Sequence, residues 1–238
     1  MLEKTNPILQ MKFGVTQRFP CNYLQGEEEQ LLVCMSPSEE LPQVYGNLLN
    51  NGFRRSGEQL YRPHCAHCNA CQSIRIMVNE FTYSRSQKRI LQKNKSLTLH
   101  ERHDERDDYY PLYESYINQM HADGTMFPAN YEQYANFVRC QWQQPIFLEA
   151  RDEGKLVAVA VTDQVEHGLS ALYTFYSPDY QARSLGSFMI LKQVALTKDK
   201  NLPFLYLGYQ IDECRKMNYK QKFKPHQRLV NHKWLIYR

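Results

Sequence analysis

The sequence predicts an α+β fold in two parts, a small cysteine-rich N-terminal domain over residues 1–80 and a larger domain over residues 81–238. Three observations carry this expectation. Cys65, Cys68 and Cys71 recur every three residues with His64 and His67 between them, a density that an ordinary core does not require. From Leu97 onward, apolar runs of period two alternate with runs of helical period. At 238 residues, with 42% hydrophobic and 23% charged side chains, the chain is long enough and apolar enough to bury a full core.

Composition also excludes several classes. The first twenty residues lack an apolar stretch of signal-peptide length, and no run approaches the eighteen or so apolar residues that span a bilayer, so secretion and membrane insertion are not expected. Seven cysteines, three of them packed into one short loop, do not resemble an extracellular disulfide framework and fit a reducing cytoplasm. The net charge of +4 is mild but unevenly placed. Arg85, Lys88, Arg89, Lys93 and Lys95 follow one another with no acid between Phe81 and Lys95, and the segment from Arg215 to Arg238, which includes Lys220 and Lys222, has no acid either. Two such segments suit a polyphosphate partner, because each neutralised phosphate releases counterions; a solvated face balanced by Glu27–Glu29 and Asp104–Asp108 is the other reading.

Taken in order, Gln30–Met35 reads as a short strand stopped by Ser36-Pro37. A helix follows to about Asn50, with Ser38 as N-cap, Leu41, Val44, Tyr45, Leu48 and Leu49 on its core face, and Asn51-Gly52 as its stop. Ile74–Val78 alternates as a strand, and Ser84–Lys95 reads as a basic helix anchored by Ile90 and Leu91. Leu97–His100 is a strand. Tyr109, Leu112, Tyr113, Tyr116, Ile117 and Met120 mark an amphipathic helix, and Asn130 with Gln133 opens a second, whose core face is Tyr134, Phe137, Val138 and Trp142. Three strands come next, Pro145–Ala150, Leu156–Asp163 and Leu169–Ser177, joined by turns at Asp152–Gly154 and Glu166–Gly168. A helix from Ser187 to about Thr197 and a buried strand from Pro203 to Gln210 complete the pattern. Strand, two helices, three antiparallel strands, helix and strand is the element order of an acyl-CoA N-acyltransferase-like (GNAT-like) domain. In CoA-dependent members a glycine-rich loop before the third helix holds pyrophosphate; Gln181–Ser187 keeps Gly186 but has Ser184 at the first glycine position, which weakens a CoA reading.

The thiols at Cys65, Cys68 and Cys71 can converge on one tetrahedral ion, with His64, His67 or the distant Cys21 as the fourth ligand, or can stay reduced and partly buried. A second signal overlaps them. Gly52-Phe-Arg-Arg-Ser-Gly57, Leu60-Tyr-Arg-Pro63, the cysteine run and Ser73-Ile-Arg75 resemble the N-terminal signature of the aminoacyl-tRNA–protein transferases of the arginyltransferase family, and Tyr206-Leu-Gly-Tyr209 through Pro225 resembles their C-terminal signature. The short chain and this form of the cysteine run are similar to the bacterial branch. That resemblance implies transfer of leucine from leucyl-tRNA to the α-amine of proteins beginning with Asp or Glu, which marks them for degradation by the N-end rule pathway; arginyl-tRNA as donor is the alternative within the family. A cysteine-ligated nucleic-acid-binding module without catalysis is the alternative outside it. Cys21 resembles the family's first cysteine, and Leu24 stands where eukaryotic relatives place a second. Cys21, Cys65, Cys68 and Cys71 are then the set for a structural zinc or an iron–sulfur cluster, and the chemical step itself requires no cofactor.

Such a reaction needs three things from the chain. A carboxylate must take the proton of the attacking amine; Asp212 and Glu213, just past the last buried strand, are candidates, with the Tyr209 and Tyr173 hydroxyls nearby in the pattern. An arginine fork must grip the acceptor's acidic side chain, for which Arg54 and Arg55 in a glycine-flanked loop, then Arg75, are suited. A basic face must hold the tRNA, for which Arg85, Lys88, Arg89, Lys93, Lys220 and Lys222 stand out.

Overall fold

In the computed structural model, which describes residues 11–238, the chain runs in order through β1 (Phe13–Val15), β2 (Phe19–Pro20), β3 (Glu28–Glu29), β4 (Leu31–Cys34), α1 (Leu41–Asn50), β5 (Arg54–Ser56), β6 (Gln59–Pro63) and β7 (Gln72–Met77). It continues through α2 (Arg85–Lys93), β8 (Thr98–Arg102), α3 (Tyr109–Met120), α4 (Tyr131–Val138), β9 (Ile146–Asp152), β10 (Lys155–Val165), β11 (Gly168–Tyr176), α5 (Leu185–Asp199), β12 (Phe204–Gln210), β13 (His226–Val230) and β14 (Lys233–Tyr237). The first ten residues of the predicted N-terminal domain lie outside the described residues.

The apolar runs assemble one mixed eight-stranded sheet in the order β14-β13-β7-β12-β11-β10-β9-β8. All neighbours are antiparallel except β11 and β12, which α5 connects as a crossover and which pair in parallel. β10 shows why its sequence is apolar without interruption. Val159 and Val161 pack with Tyr109, Tyr113, Ile117 and Tyr134 of α3 and α4, whereas Ala158 and Ala160, one position out of phase, pack with Leu185, Phe188 and Met189 of α5. Both faces of the strand are covered, and the alanines on one face let α5 approach closely. Each buried side chain the size of Phe188 contributes roughly 1.5–3 kcal/mol.

A second sheet, β1-β4-β6-β5, is antiparallel throughout and shares its core with α1, Val165 and Tyr206. β7 lies between β12 and β13, so chain on both sides of residue 80 builds the large sheet. The junction between the two sheets is ionic. Arg55 of β5 donates from Nε and Nη2 to the two oxygens of Asp163 on β10, both at 2.7 Å, and the Tyr45 hydroxyl of α1 donates to the same carboxylate at 2.7 Å. Both charged side chains are fully enclosed.

Several elements differ from the sequence reading. Ser38 does not cap α1; it opens a 3-10 turn over Ser38–Glu40, and the helix proper begins at Leu41. α4 ends at Val138, which leaves Trp142 outside it, edge-on to Tyr45 at 5.3 Å with its Nε1 donating to the Glu58 carbonyl. Arg54 and Arg55 are in a strand, not a loop. The β5–β6 hairpin turns at Gly57, whose φ is +56° and whose absent Cβ would sit 2.1 Å from the Asn136 carbonyl oxygen, so only glycine fits. The hairpin β13–β14 has no apolar alternation to announce it; its turn uses Asn231 and His232, both with positive φ, the geometry that matches strand twist.

Replacing Asp163 with Asn strands the Arg55 charge in a dry junction. Urea unfolding should show a loss of about 3–5 kcal/mol, whereas the double change Arg55→Met with Asp163→Leu should recover most of it.

Candidate functional site

The cysteine run does not form an isolated module. It lies across the start of β7 and lines a cavity of ≈ 320 Å³ together with Cys21, the end of β6, the α1–β5 turn, Tyr209 of β12 and the β13–β14 turn. Cys21, Cys65, Cys68 and Cys71 all reach this one cavity, and so does His64; His67 faces a separate groove beside Arg18 and Glu27. Burial pushes the Cys71 thiol up to about 12, and the neighbouring Cys21, Cys65, Cys68 and Glu29 add to the shift, which is the electrostatic signature of four sulfurs grouped around one space. All four are free thiols. Thiols of this number suit zinc or an iron–sulfur cluster by chemistry, but among the described residues no three His, Cys, Asp or Glu side chains stand close enough together to hold an ion.

The floor of the cavity is fixed by the Gly52 carbonyl, which accepts from the Tyr209 hydroxyl at 2.9 Å and from Ser73 Oγ at 3.2 Å. Tyr209 is buried, burial holds its hydroxyl well above the ordinary pKa, and that hydroxyl is committed to the Gly52 carbonyl.

The three arginines expected to hold the acceptor are committed elsewhere. Arg55 spends its fork on Asp163 and its remaining nitrogen on the Gly57 carbonyl. Arg54 is buried among carbonyls, donating to Phe53 O at 2.6 Å and Gly208 O at 3.0 Å, and lies over the rings of Tyr206 and Tyr209. Arg75 is stacked between Phe204 and Trp234 and donates to Gln227, Asn50 and the Tyr206 hydroxyl. None presents an open fork to a ligand: Arg54 Nε is without a partner, but its other nitrogens are taken by carbonyls and the side chain is buried.

Beyond β12, Asp212 accepts two bonds from Arg228 Nη1 at 2.8 and 3.0 Å and one from Gln210 at 2.8 Å. Desolvation raises its pKa, but these bonds outweigh that and hold it below the usual carboxylate range. Glu213 is exposed and in no ion pair among the described residues. Tyr173 stays on β11, edge-on to Phe137 at 5.2 Å, and burial pushes its hydroxyl pKa up.

The predicted basic helix is α2, opened by a capping box between Ser84 and Gln87. Arg85, Lys88, Arg89 and Lys93 are exposed on it and Lys95 just past its end, and Lys93 is tied to the Ala182 carbonyl at 2.6 Å. Buried Gln87 donates to the Lys222 carbonyl, which places the exposed Lys222 beside α2. Lys220 does not. It is buried, with Nζ donating to the Tyr209 carbonyl at 2.6 Å, and cannot contact a phosphate.

The large sheet is open at one place. β11 and β12 pair only over Gly168–Ser170 and Phe204–Tyr206, and beyond that Ala171–Thr174 are half-exposed although β11 is an interior strand. Facing them, Gly208 has open space where a Cβ would be. The cavity wall at Tyr209 and this split therefore share one end of β12. The Gln181–Ser187 segment is tied to the end of α2 by Asn94, which donates to the Arg183 carbonyl, and by Arg183, which donates to the Lys93 carbonyl and pairs with Asp152 of β9 at 3.0 Å.

Comparison with known proteins agrees with the two signatures. Residues 19–89 match the model described as "Arginine-tRNA-protein transferase, N terminus" and residues 108–230 the corresponding C terminus. The chain belongs to the arginine-tRNA-protein transferase family. Its relatives include the aspartate/glutamate leucyltransferase of Pseudoalteromonas atlantica, 50% identical over 95% of this chain and 97% of that protein. That of Aeromonas hydrophila is 49% identical over 94% of each. Among solved structures, the C-terminal domain of a lysylphosphatidylglycerol synthetase from Agrobacterium fabrum is similar at a TM-score of 0.45 and 13% identity, covering 71% of this chain and 52% of that one, too little to carry an argument. Among the described residues no helix is long and apolar enough to cross a membrane.

Sequence reasoning missed the role of Lys220, since a lysine in a basic run carries no mark of burial. In the transferase it is a buried amine whose pKa falls to about 7, first by desolvation and then by the nearby Arg54 charge. The unfolded chain keeps that proton to about 10.5 and the folded one only to about 7, so between these values the unfolded state binds more protons and stability climbs with pH. Thermal melts of Lys220→Met should therefore show a smaller rise between pH 7 and pH 10 than wild type, the difference approaching about 1.4 kcal/mol per pH unit at its steepest.

Proposed function

We propose that the protein transfers leucine from leucyl-tRNA to the α-amine of proteins whose first residue is Asp or Glu, marking them for degradation. The observation that carries this reading is identity of about one half, over nearly the whole length of both chains, to proteins named aspartate/glutamate leucyltransferase. The balanced step forms a bond between the acceptor nitrogen and the leucyl carbonyl carbon, breaks the ester bond to the terminal ribose, and returns a proton to the ribose oxygen. The amine attacks as its free base, which with a reference pKa near 8 is a minority form at neutrality. Asp212 and Glu213 are our candidates to carry the proton it loses, and Glu213 is favoured because Asp212 is held by Arg228.

We assign residues 81–238 to an acyl-CoA N-acyltransferase-like domain, supported by the order β8-α3-α4-β9-β10-β11-α5-β12 and by the parting of β11 from β12. Residues 1–80 form its cysteine-containing companion, with β7 inserted in the common sheet. The tRNA lies on the face made by α2 and Lys222. The four thiols on the wall of one cavity support a structural zinc or iron–sulfur site, which elemental analysis of the purified protein would detect at about one equivalent of zinc per chain or as cluster iron. Free thiols throughout suit a reducing cytoplasm.

The decisive experiment offers leucyl-tRNA and arginyl-tRNA in parallel to acceptors beginning with Asp, Glu, Arg and Lys. Label should pass from leucyl-tRNA to the Asp and Glu acceptors; transfer from arginyl-tRNA alone would overturn the donor, and transfer from neither would overturn the reading. In the same assay Lys88→Glu with Arg89→Glu should raise KM for tRNA and reduce the salt slope by about one per lost phosphate contact. Glu213→Gln should lower kcat by about a hundredfold if it takes the proton, and unchanged kcat would remove it from that role.

A further inference from the structure

Glu29 of β3 and Arg62 of β6 line the cysteine cavity from different elements, carry opposite charges, and do not pair. Among the described residues neither takes part in any ion pair, although Glu28 next door is bonded to Arg18. Glu29 Oε2 and Arg62 Nε are enclosed without a hydrogen-bond partner, and a third lining residue, Gln72, leaves its Oε1 in the same state. Arg62 has one bond, Nη1 to the Asn51 carbonyl at 3.2 Å, and lies over the Phe53 ring at 5.3 Å. Burial raises the pKa of Tyr23, Tyr61 and Cys71, and the Glu29 charge adds to each shift.

Enclosed polar atoms without partners are uncommon and costly, and three of them belong to residues that line this one cavity, beside an acid and a base that do not pair with each other. The charges define that ligand. It brings a cation to Glu29 and a planar anion to Arg62, whose guanidinium is built for a carboxylate. A volume of ≈ 320 Å³ accommodates one or two residues. A protein N-terminus beginning with Asp or Glu is such a ligand, with an ammonium and a side-chain carboxylate on one residue.

We propose that this cavity receives the acceptor's first residue, with its acidic side chain on Arg62 and its α-ammonium facing Glu29. The proposal rests on the transferase reading above and deepens it: acceptor choice is made by Arg62 and Glu29, not by Arg54, Arg55 or Arg75. The position suits the role, because Tyr209 of the cavity wall stands at the end of β12 where the sheet parts. Leucine, the donated residue, has no carboxylate for Arg62 to hold.

The test compares wild type, Arg62→Gln, Arg62→Lys and Glu29→Gln in leucyl transfer to peptides beginning with Asp or Glu. Arg62→Gln should raise peptide KM about tenfold or more while kcat and the KM for leucyl-tRNA stay within about twofold, with Arg62→Lys intermediate and Glu29→Gln also raised. Thermal melts establish that each variant is folded. A titration without tRNA provides a readout independent of catalysis: wild type should bind the dipeptide Asp-Ala more tightly than Asn-Ala or N-acetyl-Asp-Ala, and Arg62→Gln should erase the first difference. Unchanged peptide KM in folded Arg62→Gln, or equal binding of the three dipeptides by wild type, overturns the proposal. A rise confined to the KM for leucyl-tRNA overturns it too and gives the cavity to the tRNA end. If wild type transfers leucine to no acceptor, the transferase reading fails in that arm alone, and the dipeptide titration still decides what the cavity binds.

Discussion

Arg55 and Asp163 meet where neither side chain reaches water, one on a hairpin of the small sheet and the other on an interior strand of the large one. Two charges in such a place are expensive to bury, and their attraction offsets that cost only when geometry is close to ideal and the remaining lone pairs are used. Here the guanidinium engages both carboxylate oxygens, Tyr45 takes a further lone pair, and the Gly57 carbonyl takes the last guanidinium nitrogen. An apolar contact would tolerate sliding of one sheet on the other. A bidentate pair fixes register, and with it the hairpin that carries Arg62 to the cavity wall.

The same economy runs through the neighbouring arginines. Arg54 is surrounded by carbonyls and rings, and Arg75 is clamped between Phe204 and Trp234 with every named bond going to the protein itself. Guanidinium groups suit this work because they remain charged, satisfy several acceptors at once and lie flat on aromatic faces. Lys220 does comparable work for the Tyr209 carbonyl, at the cost of a pKa lowered toward neutrality. Four basic side chains in the most distinctive stretches of the sequence are therefore internal scaffolding, and they hold the walls within which Glu29 and Arg62 are left unmatched.

The large sheet supplies the second constraint. β11 and β12 are parallel, joined through α5, and they separate after three paired residues. The opening lies beside the end of β12 that forms the cavity wall through Tyr209, while α2 presents its cations on the outside of α5. Cysteine loop, cavity, split strands and basic helix are thus different outlets of one sheet, and β7, which precedes residue 80, is as central to that sheet as β12.

What the sequence determined by itself was whatever depends on local pattern. α1, α2, α3 and the strands β9 to β12 follow from periodicity, caps and turn residues, since a helix or covered strand must repeat its apolar positions at its own period. The family followed from long motifs read as strings. Short strands were not legible: β5, β6, β13 and β14 are held by pairing partners and by Gly57 and Asn231, with no apolar alternation of their own. Tertiary structure alone decided which charges face a ligand. Arg54, Arg55, Arg62 and Arg75 look alike in a list of residues, and only their surroundings distinguish the three committed to Asp163, to carbonyls or to aromatic rings away from the cavity from Arg62, which keeps one carbonyl bond and a place on the cavity wall, because the partners of a charge are a property of its neighbours in space.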